Sequence, residues 1–159
     1  MAPLRALVCD DEAPLCELMA RRVEKLGLQV DRAEDGQTGQ SLIGSHRCDL
    51  IVTEIYLPEA TGLGLLQMAK QRDPQVQVVI VTASATLDNA SDAHNHGSFG
   101  YLSNPFDHLS VFDSTVSRAL ELRQLTLANR RIAEAGGAHV LSLRYKEPGT
   151  SLGAEENKP

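Results

Sequence analysis

The stretch Asp49 to Pro58, DLIVTEIYLP, limits the folds open to this chain more than any other. Leu50, Ile51 and Val52 run on without the polar alternation of a half-exposed strand, so they predict a central strand covered on both faces, as in parallel α/β sheets. Pro58 cannot continue a ladder and Gly62 offers turn freedom, so the strand stops just after Glu54 and leaves that carboxylate at its carboxyl edge. In open α/β sheets this edge carries the site.

The rest of the chain repeats the arrangement. Leu4 to Cys9, LRALVC, is a short apolar strand that runs into Asp10, Asp11 and Glu12, with Pro14 marking a helix start. Leu15, Leu18, Met19, Val23 and Leu26 then recur at helical spacing, with Gly27 as a fitting C-terminal cap. Leu28 and Val30 alternate with Gln29 and Asp31, which predicts an edge strand, and Glu34-Asp35-Gly36 turns into a short helix around Gln37 to Ile43. Beyond the organising strand, a helix from Gly62 to Gln71 precedes Val76 to Val81, VQVVIV, which delivers Thr82-Ala83-Ser84 to the same edge as Glu54. Leu87 to His96 predicts a weakly held, mobile helix, because Asp88, Asn89, Ser91, Asp92 and Asn95 are poor interior formers. Phe99 to Leu102 is a fifth strand ending in Ser103-Asn104-Pro105-Phe106, where an X-Pro bond is free to be cis, and Asp107 is placed to cap a long helix.

Five strands alternating with five helices, joined by right-handed crossovers, give an α/β fold with a doubly wound parallel sheet. Asp10, Asp11, Glu54, Thr82 and Asn104 then share one pocket at the strands' carboxyl ends, and no glycine-rich phosphate loop accompanies them.

Composition narrows the functions. A formal net charge of −6 argues against sequence-independent nucleic-acid binding, which needs a basic footprint, and Arg130-Arg131 is too small a cluster to reverse it. Val78 to Val81, the longest apolar run, is far too short for a membrane span, and acids occur by Asp10, where a signal peptide would have its apolar core. The expectation is a cytoplasmic protein. Cys9, Cys16 and Cys48 lack metal-ligand spacing and read as small buried residues in a reducing compartment. His94, His96 and His108 have no carboxylate or thiol at ligand spacing and read as surface residues.

Four strings in order carry a resemblance: CDDE at Cys9 to Glu12, DLIVTEIYLP, VVIVTAS at Val78 to Ser84, and YLSNPFD at Tyr101 to Asp107. Over roughly its first 120 residues the chain resembles the receiver domain of bacterial two-component response regulators. The resemblance implies a flavodoxin-like sheet of order 2-1-3-4-5 flanked by five helices, here with an extended C-terminal helix. It also implies signalling with a histidine kinase, regulator or output protein as partner, and no enzyme activity. In a working receiver the position of Glu54 would hold an aspartate that accepts a phosphoryl group, while the acids matching Asp10 and Asp11 hold Mg²⁺. The position of Asn104 would hold a lysine. Thr82 and Tyr101 match the switch positions.

Two departures change the chemistry. Glutamate carries its carboxylate one methylene further, roughly 1.5 Å, into space the phosphoryl group would fill, and Asn104 removes the fixed positive charge that phosphoryl transfer relies on. The chain therefore reads as a pseudo-receiver, a phosphorylation-independent signalling or scaffold module. The alternatives are a phospho-accepting receiver and a metal-sensing one, for which Asp10, Asp11 and Glu54 are the candidate ligands. Thr82 is either a switch hydroxyl or a satisfied strand end. Tyr101 is either a switch aromatic or a packed ring whose hydroxyl stays wet.

Residues 1–120 thus make a receiver-like domain, 121–135 a helical extension, and 136–159 a flexible tail. Leu109, Phe112, Val116 and Ala119 can face the sheet. Beyond them Leu122, Leu125, Asn129 and Ile132 step by three and four, the seam of a short parallel coiled coil between two copies. A solvated extension is the alternative, since the seam is short. Gly136-Gly137 should stop the helix after Ala135. Val140 to Tyr145 could form a strand, and the segment from Pro148 reads as disordered.

Overall fold

The computed structural model describes residues 3–137. Its elements alternate as β1 (Arg5–Cys9), α1 (Ala13–Glu24), β2 (Gln29–Ala33), α2 (Gly36–Ser45), β3 (Leu50–Thr53), α3 (Gly62–Arg72), β4 (Gln77–Thr82), α4 (Leu87–Asn95), β5 (Gly100–Ser103) and α5 (Leu109–Ile132). All strand pairs are parallel and their order is β2-β1-β3-β4-β5. The sheet is therefore doubly wound, with β2 at one edge as its alternating pattern predicts and β5 at the other.

The unbroken apolar runs are explained by two cores. In β1, Ala6 and Val8 point to one face while Leu7 and Cys9 point to the other, and β3 and β4 divide in the same way. Cys16, Met19, Ala20 and Val23 of α1 cover the first face together with Phe112, Val116, Ala119 and Leu120 of α5. Ile43 of α2, Leu65, Leu66 and Ala69 of α3, and Ala93 of α4 cover the second. Each fully buried aliphatic side chain contributes about 1.5–3 kcal/mol. Ala93 is the sole buried residue of α4, as the thin apolar content of that segment leads one to expect.

Local signals hold with corrections. Asp35, Thr61 and Thr86 cap α2, α3 and α4 by accepting from Thr38, Gly64 and Asn89 backbone N–H groups. Asp107 does not cap α5, which begins at Leu109 and leaves His108 at the cap position. Gly62 is required for space rather than torsional freedom, because a Cβ there would lie 2.0 Å from the Glu54 carbonyl oxygen. The left-handed turn of that loop falls instead on Glu59, at φ 75°, a conformation that costs a side chain of this kind about 1 kcal/mol or more. The Asn104-Pro105 bond is cis.

At the amino edge of the sheet lies a group of buried ions. Asp49, fully buried just before β3, accepts from the Arg5 backbone N–H at 2.8 Å and from Arg123 Nε at 2.9 Å. Arg123, also fully buried, gives Nη2 to Asp73 at the end of α3, at 2.8 Å. The compact unit accordingly runs to Arg123 rather than to residue 120, and a second unit begins at Gln124. Within that second unit the regular helix ends at Ile132, three residues before the expected stop, and a wider turn over Ala133–Gly137 carries Gly136 at φ 95°. The expected strand at Val140 to Tyr145 and the disorder from Pro148 lie outside the described residues.

Removing one partner of a buried ion pair leaves the other charge uncompensated, at a cost of about 3–5 kcal/mol. Arg123→Met is therefore expected to lower the unfolding free energy by about 3 kcal/mol or more, measured by urea titration. A loss under about 1 kcal/mol would show that Asp49 is satisfied by Arg5 and Arg47 alone.

Candidate functional site

Four loops at the carboxyl ends of β1, β3, β4 and β5 carry the residues singled out from the sequence. Asp10 and Asp11 follow β1, Glu54 follows β3, Thr82 ends β4, and Asn104 follows β5. The sheet register sets the adjacent strand ends side by side, with Cys9 opposite Thr53 and Thr82 opposite Ser103. Asp10 is tied to the neighbouring edge strand through its backbone N–H, which donates to the Ala33 carbonyl at 3.0 Å.

Glu54 is half-buried and its carboxylate is turned onto backbone amides. Ile55 N–H donates to Oε2 at 2.6 Å and Tyr56 N–H reaches the same oxygen at 3.4 Å. Ala83 N–H, from the loop after β4, approaches Oε1 at 3.4 Å. The extra methylene of glutamate lets one carboxylate span both loops. Amide dipoles supply the favourable partners that a cation would otherwise give.

Asp10 is the buried acid of the cluster, only 1% exposed. Its Oδ1 accepts from Glu12 N–H at 2.8 Å, whereas Oδ2 has no hydrogen-bond partner. Burial pushes its carboxyl up to about 6; the charges of Glu54, Asp11 and Glu12 add to the shift, and the Glu12 amide opposes it. Asp11, by contrast, is exposed.

The unpaired Oδ2 of Asp10 has the chemistry of a cation ligand, but the expected set of Asp10, Asp11 and Glu54 is not assembled around a common point. Among the described residues no group of three His, Cys, Asp or Glu side chains is placed to hold a metal ion. Asp11 is exposed and the Glu54 oxygens lie on amides, so Asp10 Oδ2 is the buried oxygen of this set left for a hard cation, which Mg²⁺ can share with waters.

Thr82 is fully buried and its hydroxyl accepts from Ser84 N–H at 3.1 Å, a local bond that closes its own strand end. Tyr101 is half-buried, and its hydroxyl lies buried beside the Thr86 backbone without a bond of normal geometry, so it does not stay wet. Burial raises the phenol above its ordinary value. Asn104 stands half-buried at the lysine position, and its backbone N–H donates to the Thr82 carbonyl at 2.9 Å.

Two residues of this region, Tyr56 within the organising stretch and Asn89 in α4, were not singled out as site residues from the sequence. The Tyr56 hydroxyl accepts from Asn89 Nδ2 at 3.0 Å, joining the loop after β3 to the first turn of α4. Elsewhere, Leu122, Leu125 and Ile132 of α5 are 42%, 58% and 47% exposed, and Asn129 is exposed as well. His94, His96 and His108 lie at the surface, and the three cysteines are free thiols. No helix among the described residues is long and apolar enough to cross a membrane.

A sequence model described as the response regulator receiver domain matches residues 6–114. The response regulator protein PilR of Pseudomonas aeruginosa is 34% identical over 123 residues, covering 77% of this chain and 27% of PilR. The DNA-binding transcriptional regulator NtrC of Salmonella typhimurium is 35% identical over 100 residues, 63% of this chain and 21% of NtrC. The chain thus matches only about a quarter of the length of these relatives. Among solved structures, a CheY-like receiver domain from Methanospirillum hungatei superposes with a TM-score of 0.69 at 24% identity, covering 77% of this chain and 98% of that one. The beryllofluoride-activated NtrC4 receiver domain dimer gives 0.68 at 25% identity, over 75% and 98% of the two chains.

Because the Asp10 carboxyl takes up its proton at about 6 in the folded chain and near 3.9 when unfolded, the folded state holds the extra proton between those values. Its contribution is favourable at low pH and is lost as pH rises from about 4 through about 6. Asp10→Asn, which keeps an oxygen for Glu12, is expected to leave stability near pH 4 unchanged and to raise it at pH 7.5 by about 1–2 kcal/mol, once water at the loop mouth is allowed for. Denaturant titrations of both proteins at the two pH values measure the difference.

Proposed function

The chain belongs to the response regulator receiver domain family, and from that premise we propose that it works as a pseudo-receiver, a protein-binding signalling module whose output does not wait for phosphorylation. The observation that carries this reading is the Glu54 carboxylate, whose oxygens already face the amides of Ile55, Tyr56 and Ala83. A phosphoryl acceptor needs an oxygen free for in-line attack and charge neutralisation of the incoming group. Glu54 is committed to amides, and Asn104 brings no cation. The partner is a protein, a histidine kinase, regulator or output domain, and the module turns over no substrate.

A phospho-accepting receiver is the competing reading, favoured by the retained Asp10, Asp11 and Thr82 and by the similarity to PilR. The two are separated by adding beryllofluoride and Mg²⁺ and recording amide spectra. A pseudo-receiver should show essentially no shifts near Thr82 and Tyr101. Glu54→Asp alone should restore nothing, and Glu54→Asp with Asn104→Lys should restore them. Widespread shifts in the unmodified chain would establish the phospho-accepting reading.

We further propose that two copies associate in parallel through Leu122, Leu125, Asn129 and Ile132. The spacing supports this, as does the exposure of the three aliphatic side chains, and a single asparagine in an apolar seam favours two strands in fixed register. Light scattering of the full chain at micromolar concentration should give a dimer mass, and replacing Leu125 and Ile132 together by Asp should give a monomer. A monomer for the unmodified chain, or a dimer that survives the double replacement, would reject the seam.

A further inference from the structure

The loop after β3 is joined to the β4–α4 segment at two points rather than one. The first is the Glu54 carboxylate, gripped on one side by Ile55 and Tyr56 N–H groups and on the other by Ala83 N–H. The second is the Tyr56 side chain, whose hydroxyl accepts from Asn89 Nδ2 at 3.0 Å while the same amide group approaches the Ser84 carbonyl at 3.4 Å. Tyr56 therefore takes part in both, with its backbone N–H toward the pocket acid and its phenol toward α4.

The consequence depends on how α4 is held. Of its residues only Ala93 is buried, so its apolar anchorage is slight. Its far end is tied to α3 where His96 Nε2 meets Gln67 Nε2 at 3.0 Å. Its near end is capped internally by Thr86, and the contact from Asn89 to Tyr56 fastens that turn to the acid-bearing loop. An element with few buried apolar contacts takes its position from such polar ties.

We propose that Tyr56 is a strap that sets the first turn of α4 according to the state of the Glu54 loop. When the Glu54 carboxylate sits on its amides, the Tyr56 backbone is held and the phenol stays at Asn89. When the carboxylate is removed or drawn away, the same backbone segment loses a partner and the hold on α4 weakens. The strap acts whether or not Glu54 accepts a phosphoryl group, because it depends only on where the Glu54 side chain lies.

The test is amide hydrogen exchange on the full chain. Tyr56→Phe keeps the ring and removes the hydroxyl, so exchange in residues 87–95 should quicken about three- to tenfold, the range of one net hydrogen bond, while β1, β3 and β4 keep their protection. Asn89→Ala should do the same even though alanine favours the helix, and the double variant should add nothing further. Glu54→Ala should quicken α4 exchange in the otherwise unmodified chain and have no added effect beside Tyr56→Phe, a dependence that a merely structural tyrosine would not give. Unchanged α4 exchange in Tyr56→Phe, equal loosening of the sheet strands, or an effect of Glu54→Ala that is the same with and without the hydroxyl would each overturn the proposal.

Discussion

The buried pairing of Arg123 with Asp49 and Asp73 is the interaction on which the rest of the structure depends. A guanidinium with no exposure is tolerated only where carboxylates meet it, since desolvation costs each ion several kcal/mol. The two acids belong to the start of β3 and the end of α3, and Asp49 also receives the first amide of β1. One side chain of α5 thus reaches the amino end of β3, to which the first amide of β1 is also tied, and the exit of α3, the helix that follows β3. Arg123 Nη1 remains buried without a partner, so even this junction is incompletely satisfied.

With the amino edge fixed, variation is left to the carboxyl edge, where the loops carry acids instead of paired ions. Two of those acids solve the problem of crowding in different ways. Glu54 reaches backbone amides on two loops. Asp10, with less reach and one oxygen unpaired, holds its proton to about 6. One topology makes both clusters possible, because parallel strands place all their amino ends together and all their carboxyl ends together.

The strands and their burial on both faces were legible because unbroken apolar runs have few other uses, and the grouping of Asp10, Glu54, Thr82 and Asn104 follows from strand ends alone. Sequence reasoning did less well where the answer depends on a contact distant in the chain. Nothing in the sequence around Arg123 marks it as a buried ion; only the fold brings Asp49 and Asp73 to it. Gly62 looked like a turn residue, yet its constraint is the Glu54 carbonyl, whereas the unusual φ belongs to Glu59, which no turn rule would choose. Asp11 looked equal to Asp10, and burial separates them. The Tyr56 contact with Asn89 could not be read from the sequence: Tyr56 lies within the organising stretch, but nothing there points to Asn89, and their partnership depends on how two loops lie side by side.

The direction taken by Glu54 follows from competition for its oxygens. An aspartate at the end of β3 would hold its carboxylate about one bond length shorter, roughly 1.5 Å, and would sit less far across the gap to Ala83. The glutamate can satisfy amides on both loops at once, and no cationic side chain at position 104 draws it elsewhere. Shortening the arm without adding a cation therefore vacates the amides but leaves the charge unbalanced. Adding a cation without shortening the arm would offer Glu54 a salt bridge in place of its amides. Both changes together would give a shorter carboxylate held by charge instead of by amides on two loops, with one oxygen left free.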